Sequence, residues 1–145
     1  MSSRSAEFDM LKRVETEKWT VLTAAVEAAA TGLILFVRPS WFAWLVFGRE
    51  FSDAGSALSR LTAIALFGLT LATWPLSGAV GPLPSSVRAL SVYNVLATIY
   101  LLYAATGGQL NGILLWPAIA LHAIFSIFLA RAWLFMRELE RGNDF

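Results

Sequence analysis

The chain contains no cysteine. That absence excludes a disulfide framework, thiolate catalysis, iron–sulfur ligation and zinc sites of the cysteine type. Histidine occurs once, as His122. Bis-histidine haem ligation within one chain is therefore excluded, and one imidazole cannot complete a zinc site, which takes three or four ligands. Haem on His122 alone, or shared across a dimer, is disfavoured, and no metal or resident cofactor is expected. Charge is scarce as well: Asp, Glu, Lys and Arg make up 14% of the residues, against ~25% in an average soluble domain. The net charge is +1 with both signs mixed, and no basic patch argues for nucleic acid. No strained nucleophile turn, phosphate-binding loop or paired catalytic carboxylate is present, so an enzyme is not the expected reading.

What fills the chain instead is apolar. Hydrophobic residues are 57% of its 145 positions, and the mean hydropathy is +0.64. Four apolar stretches dominate: Trp19–Val37, Leu58–Leu76, Ala89–Thr106 and Ile113–Phe135. A bilayer core is ~30 Å thick and a helix rises ~1.5 Å per residue, so about 20 apolar residues cross it. In lipid every backbone polar group must be satisfied within its own segment, which makes each stretch a helix. The expected fold is all-α: an integral membrane, antiparallel four-helix transmembrane bundle with short interfacial helices. Three parts are expected: a cytoplasmic amphipathic segment at 1–18, the transmembrane domain at 19–135 and a cytoplasmic tail at 136–145. The first apolar stretch is too long for a signal-peptide core and lacks a small-residue cleavage site, so it is expected to stay as the first membrane helix.

Lysine and arginine on short loops stay preferentially cytoplasmic. With four spans, the side shared by both termini carries Arg4, Lys12, Arg13, Lys18, Arg88, Arg131, Arg137 and Arg141, and the other carries Arg38, Arg49 and Arg60. Eight against three places both termini in the cytoplasm. Tryptophan rings prefer the headgroup level. On this topology Trp19, Trp74 and Trp133 fall at the inner boundary, and Trp41, Trp44 and Trp116 at the outer one.

Between and before the spans lie shorter features. Phe8, Leu11 and Val14 stand three apart among charges, which predicts an amphipathic helix lying on the inner headgroups. After Pro39, the stretch Trp41–Gly48 is apolar but too short to cross, and reads as an interfacial or re-entrant helix. Ala24, Ala28 and Gly32 stand four apart in the first span and would let another helix approach closely. In the second span Ser59, Thr62, Ala63, Leu66, Thr70 and Thr73 share one arc, which predicts a protein-facing stripe. The loop from Pro75 to Pro84 is rich in proline and glycine, a non-helical connection. Residues Gly107 to Asn111 form a turn short enough to force a hairpin. Pro117, inside the fourth stretch, predicts a kink that frees the carbonyl of Ile113.

Two ionisable residues stand deep in the spans, Glu27 and His122, with Asn94 as the third strongly polar group. Such residues are costly in lipid, face protein or water, and are functional-site candidates. At 1.5 Å per residue, Glu27 and His122 both lie ~14 Å from the inner surface and Asn94 ~9 Å, with Thr70 near the Asn94 level. A cluster of Glu27, Asn94, His122 and Thr70 is the candidate intramembrane site. It reads as a structural device that fixes helix register, as a proton-handling or ligand-polarising site, or as a set of contacts to an oligomer mate or partner protein. Tyr93, Tyr100 and Tyr103 are expected on a broad face roughly opposite Asn94, as packing or interface anchors.

The size, the four-helix layout and the stretch SVYNVLATIYLLYAATGGQLNGILLWPAIALHAIFSIFLARAWL resemble the DoxX-like group of small bacterial membrane proteins. The landmarks are Gly32 and Pro39, Tyr93-Asn94, and Leu115-Trp116-Pro117 with His122. The resemblance implies the bundle, a bacterial inner (plasma) membrane location, and association with quinone-linked redox complexes. The expected function is that of an accessory or interaction subunit within the bilayer, surrounded by membrane lipids and part of a homo-oligomer or larger membrane complex. The alternative is binding of a small apolar ligand, a quinone or lipid, between the helices, or transport by an oligomer.

Overall fold

The computed structural model describes residues 2–74, 84–108 and 110–142. Five α-helices follow one another: α1 (Ser2–Val37), α2 (Pro39–Phe42), α3 (Asp53–Thr73), α4 (Pro84–Thr106) and α5 (Leu115–Gly142), and α2 runs directly into a π-helical turn, Ala43–Phe47. No strand occurs among the described residues. Four of the helices are long and apolar enough to cross a membrane, within Phe8–Val37, Asp53–Thr73, Pro84–Thr106 and Leu115–Glu138.

Local chemistry sets most boundaries. Pro39 opens α2, where its missing N–H is no loss. Gly48 ends the π-helical turn in the left-handed region at φ 71°, a conformation that carries no penalty for glycine. The Ser52 hydroxyl accepts the Gly55 N–H at 3.1 Å and so caps α3. The segment 1–18 departs from expectation. Residues 2–18 are the first part of one unbroken 36-residue helix, ~54 Å long at 1.5 Å per residue, with no break at Lys18. Threonine hydroxyls continue through the proposed boundary, each donating to the carbonyl one turn back: Thr16 to Lys12 and Thr20 to Thr16. The Pro75–Pro84 loop lies almost wholly outside the described residues, as does Gln109 of the predicted hairpin turn.

Pro117 also departs from expectation. Because α5 begins at Leu115, the proline stands in the first turn, where backbone N–H groups have no intrahelical partner anyway. The helical ladder starts just beyond it, with Ala118 N–H donating to Leu114 O at 2.9 Å. Pro117→Ala is therefore expected to change thermal stability by less than about 1 kcal/mol, well below the ~3 kcal/mol of an interior helix proline. A melt in detergent checks it.

Packing pairs α1 chiefly with α3 and α4 with α5. Three buried clusters hold the pairs together. Val21 and Ala24 of α1 meet Val87 and Leu90 of α4 and Leu129 and Ala132 of α5. Ala28 and Leu35 meet Ala63 and Leu66 of α3. Val46 of the π-helical turn meets Leu101, Leu115 and Ile119. Ala24 and Ala28 are fully buried, and a Cβ built on Gly32 would sit 3.3 Å from Ala63 O and Leu66 Cβ. The small-residue face of α1 is thus spent inside the chain, mainly against α3, and is closed to a second copy. The predicted stripe on α3 is buried at Ser59, Ala63, Leu66, Thr70 and Thr73, while Thr62 is exposed.

Candidate functional site

Asn94 lies at 0% exposure in α4, and His122 of α5 is nearly as buried. The Asn94 amide donates through Nδ2 to Leu90 O at 2.9 Å. That bond turns Oδ1 toward His122, whose Nδ1 lies 2.9 Å away. An amide oxygen only accepts, so Nδ1 of the imidazole carries the proton in this pair. In the neutral ring Nε2 is then a bare acceptor. Thr98 and Ser126 hydroxyls donate to the carbonyls of Asn94 and His122 at 2.8 Å each, which satisfies both hydroxyls within their own helices. Tyr93 packs edge-on against the His122 ring with centroids 5.6 Å apart. Tyr100, seven residues on and so on the same helical face, lines the same cleft as Tyr93 and His122. Tyr100 and Tyr103 are exposed on the outer side.

Glu27 is half-buried on α1. Its Oε1 accepts the Thr31 hydroxyl at 2.8 Å. Its Oε2 is buried and has no hydrogen-bond partner among the described residues. An unpaired buried carboxylate oxygen is expensive and calls for a partner. Glu27 and His122 both line one cleft of about 270 Å³, together with Thr31, Phe42, Leu101 and Pro117. A second cleft of about 430 Å³ shares Thr31, Phe42, Leu101 and His122 and adds Tyr93 and Phe51. His122 therefore stands between two apolar clefts, with a carboxylate in one and a phenol in the other.

Not every candidate residue joins this site. Thr70 donates to Leu66 O at 2.9 Å and reaches Ala25 O at 3.3 Å, so it ties α3 to α1 and does not bond Asn94. Ala24, Ala28 and Gly32 serve packing. Thr31 and Phe42 were missed in sequence. Thr31 stands four residues after Glu27, one helical turn away, and that spacing could have revealed it. Phe42 reaches the site only because the π-helical turn docks on the α4–α5 connection, a long-range event. The docking uses Asn111 N–H to Phe47 O at 3.2 Å and Leu114 N–H to Leu45 O at 2.8 Å. Among the described residues no three His, Asp or Glu side chains are grouped to hold a metal ion. A scan against protein-family models, a search of curated proteins and a search of solved structures each return no match.

Proposed function

We propose that the chain is a multi-pass membrane protein whose bundle binds a small, largely apolar ligand bearing a hydroxyl or similar donor, such as a hydroquinone or a hydroxylated lipid. The unpartnered Oε2 of Glu27 carries this reading. Glu27 lines a cleft together with an imidazole whose Nε2 is the acceptor left over from the Asn94 bond. Two acceptors without donors, on walls of phenylalanine and leucine, match the usual pattern of a ligand pocket: mostly apolar, with few polar groups.

The bundle is antiparallel in this proposal. Packing of the middle of α1 (Val21, Ala24) and the start of α4 (Val87, Leu90) beside α5 just past its midpoint (Leu129, Ala132) supports that order. The eight-to-three distribution of Lys and Arg supports cytoplasmic termini, and the exposure of all six tryptophans supports headgroup belts at both boundaries. The helix that starts at Pro39 then lies at the outer surface. A bacterial inner membrane and a DoxX-like kinship follow from the resemblance and remain part of the proposal.

Glu27→Gln keeps an acceptor for Thr31 but removes the carboxylate, whereas Glu27→Leu removes both. Mass spectrometry of ligand extracted from protein purified in mild detergent is expected to find one non-phospholipid molecule per wild-type chain. Losing one hydrogen bond to a charged group costs ~1.5–3 kcal/mol, so Glu27→Gln should lower occupancy at limiting ligand by about tenfold or more while the protein stays folded. Wild-type protein without a stoichiometric ligand, or a Glu27→Leu variant that retains it fully, would sink the proposal.

A second reading, an accessory subunit of a membrane complex, draws on Tyr100 and Tyr103. Both are more than 60% exposed on α4, and their phenol groups suit a protein partner better than lipid tails. Recovery of a stoichiometric protein with an empty Glu27 cleft would favour it.

A further inference from the structure

A separate cavity of about 240 Å³ lies at the other end of α1 from the α1–α2 junction, between α1 and the later part of α5. It is lined by Lys12, Arg13, Thr16, Glu17, Arg131 and Phe135. Three cations face one carboxylate, so the walls carry a formal charge of +2. The Thr16 hydroxyl spends its proton on Lys12 O at 2.9 Å, which leaves the cationic groups as the donors. The Arg13 guanidinium lies 5.9 Å from the centre of the Phe135 ring, held over an apolar floor. One turn back along α5, Ile127 and Phe128 are exposed, on the helical face that Arg131 shares at spacings of three and four. Trp133, two residues past Arg131, is exposed with Arg137 stacked 5.0 Å from its ring. That arrangement suits the headgroup level.

We propose that this cavity seats a phosphate group, with Arg13 and Arg131 as its main contacts and Lys12 adding charge. Guanidinium groups suit phosphate because their planar forks donate two bonds at once. The apolar strip from Phe135 to Ile127 and Phe128 continues from the cationic cup, as the tail of an anionic phospholipid requires. Basic pockets between membrane helices are known to take such head groups. Glu17 keeps the cup from saturating with positive charge and selects a group of one or two negative charges.

The test uses the full chain purified in a mild non-ionic detergent. Native mass spectrometry is run after adding phosphatidylglycerol, phosphatidylcholine or inorganic phosphate. Wild-type protein is expected to retain one phosphatidylglycerol in preference to phosphatidylcholine. Each charge removed is worth about a fivefold loss near a membrane surface, so Arg13→Gln with Arg131→Gln should weaken retention about 25-fold. Arg131→Lys should recover part of it. An unchanged circular-dichroism spectrum keeps a folding defect from imitating the loss. Binding of inorganic phosphate alone, lost in the same double variant, supports the phosphate site with a soluble source. Equal retention of both lipids, or full retention by the double variant, overturns it.

Discussion

Gly112→Ala is expected to undock the π-helical turn from the start of α5. A Cβ at Gly112 would run into the backbone of Leu45 and Val46, atoms that cannot rotate aside as a side chain can. Crowding of this kind costs about 1–3 kcal/mol, and here it also strains the Leu114–Leu45 hydrogen bond. Leu45 and Val46 line the Glu27 cleft, so ligand retention should fall along with stability. Gly68→Ala is the control: nothing lies within 4 Å of a Cβ there. A glycine inside a helix costs ~1 kcal/mol relative to alanine, so that variant should melt at the wild-type temperature or above. Thermal melts of both variants in detergent check the pair.

The second large effect concerns Asn94. Asn94→Leu keeps the number and branching of the side-chain heavy atoms but strands the Nδ1–H of His122 inside the bundle. Hydrogen bonds between membrane helices average ~0.6 kcal/mol and reach ~1.7 kcal/mol. Complete burial of this pair puts it toward the upper end, so a loss of ~1–2 kcal/mol is expected. The double variant Asn94→Leu with His122→Phe removes both polar partners and should regain most of that loss. A melting series over the four proteins gives the coupling directly. If the double variant is as unstable as the sum of the singles, the bond contributes nothing to helix register.

The four long helices were legible because lipid imposes a length and a composition that any span must meet. Asn94 and His122 are legible as deep polar groups for the same reason, and their depths allow contact without deciding it. What sequence could not supply was direction. Depth alone placed Thr70 with Asn94, yet rotation of α3 aims its hydroxyl at Ala25 and Leu66. Tyr93 was set apart from Asn94 by helical angle. A side chain of that length nevertheless reaches His122 from the neighbouring position. The start of α5 was read two residues early, at Ile113. That shift turned a first-turn proline into a kink. The contribution of Phe42 and Gly112 rests on contact between segments some 65 residues apart, and no local pattern records it. The continuity of α1 through Lys18 was missed because the change from mixed charge to apolar composition marks a change of solvent, and helix propensity does not change there.

In the proposed site the buried imidazole donates through Nδ1 to Asn94 and keeps Nε2 for a ligand shared with Glu27. Because His122 is the sole histidine, selective ¹⁵N labelling of histidine reports on this one ring. Nitrogen NMR of the purified protein is expected to show a neutral ring protonated at Nδ1, with the Nε2 resonance shifting when the bound ligand is stripped. A ring protonated at Nε2 in the wild type, or an Nε2 resonance indifferent to ligand removal, would rule out this role for His122.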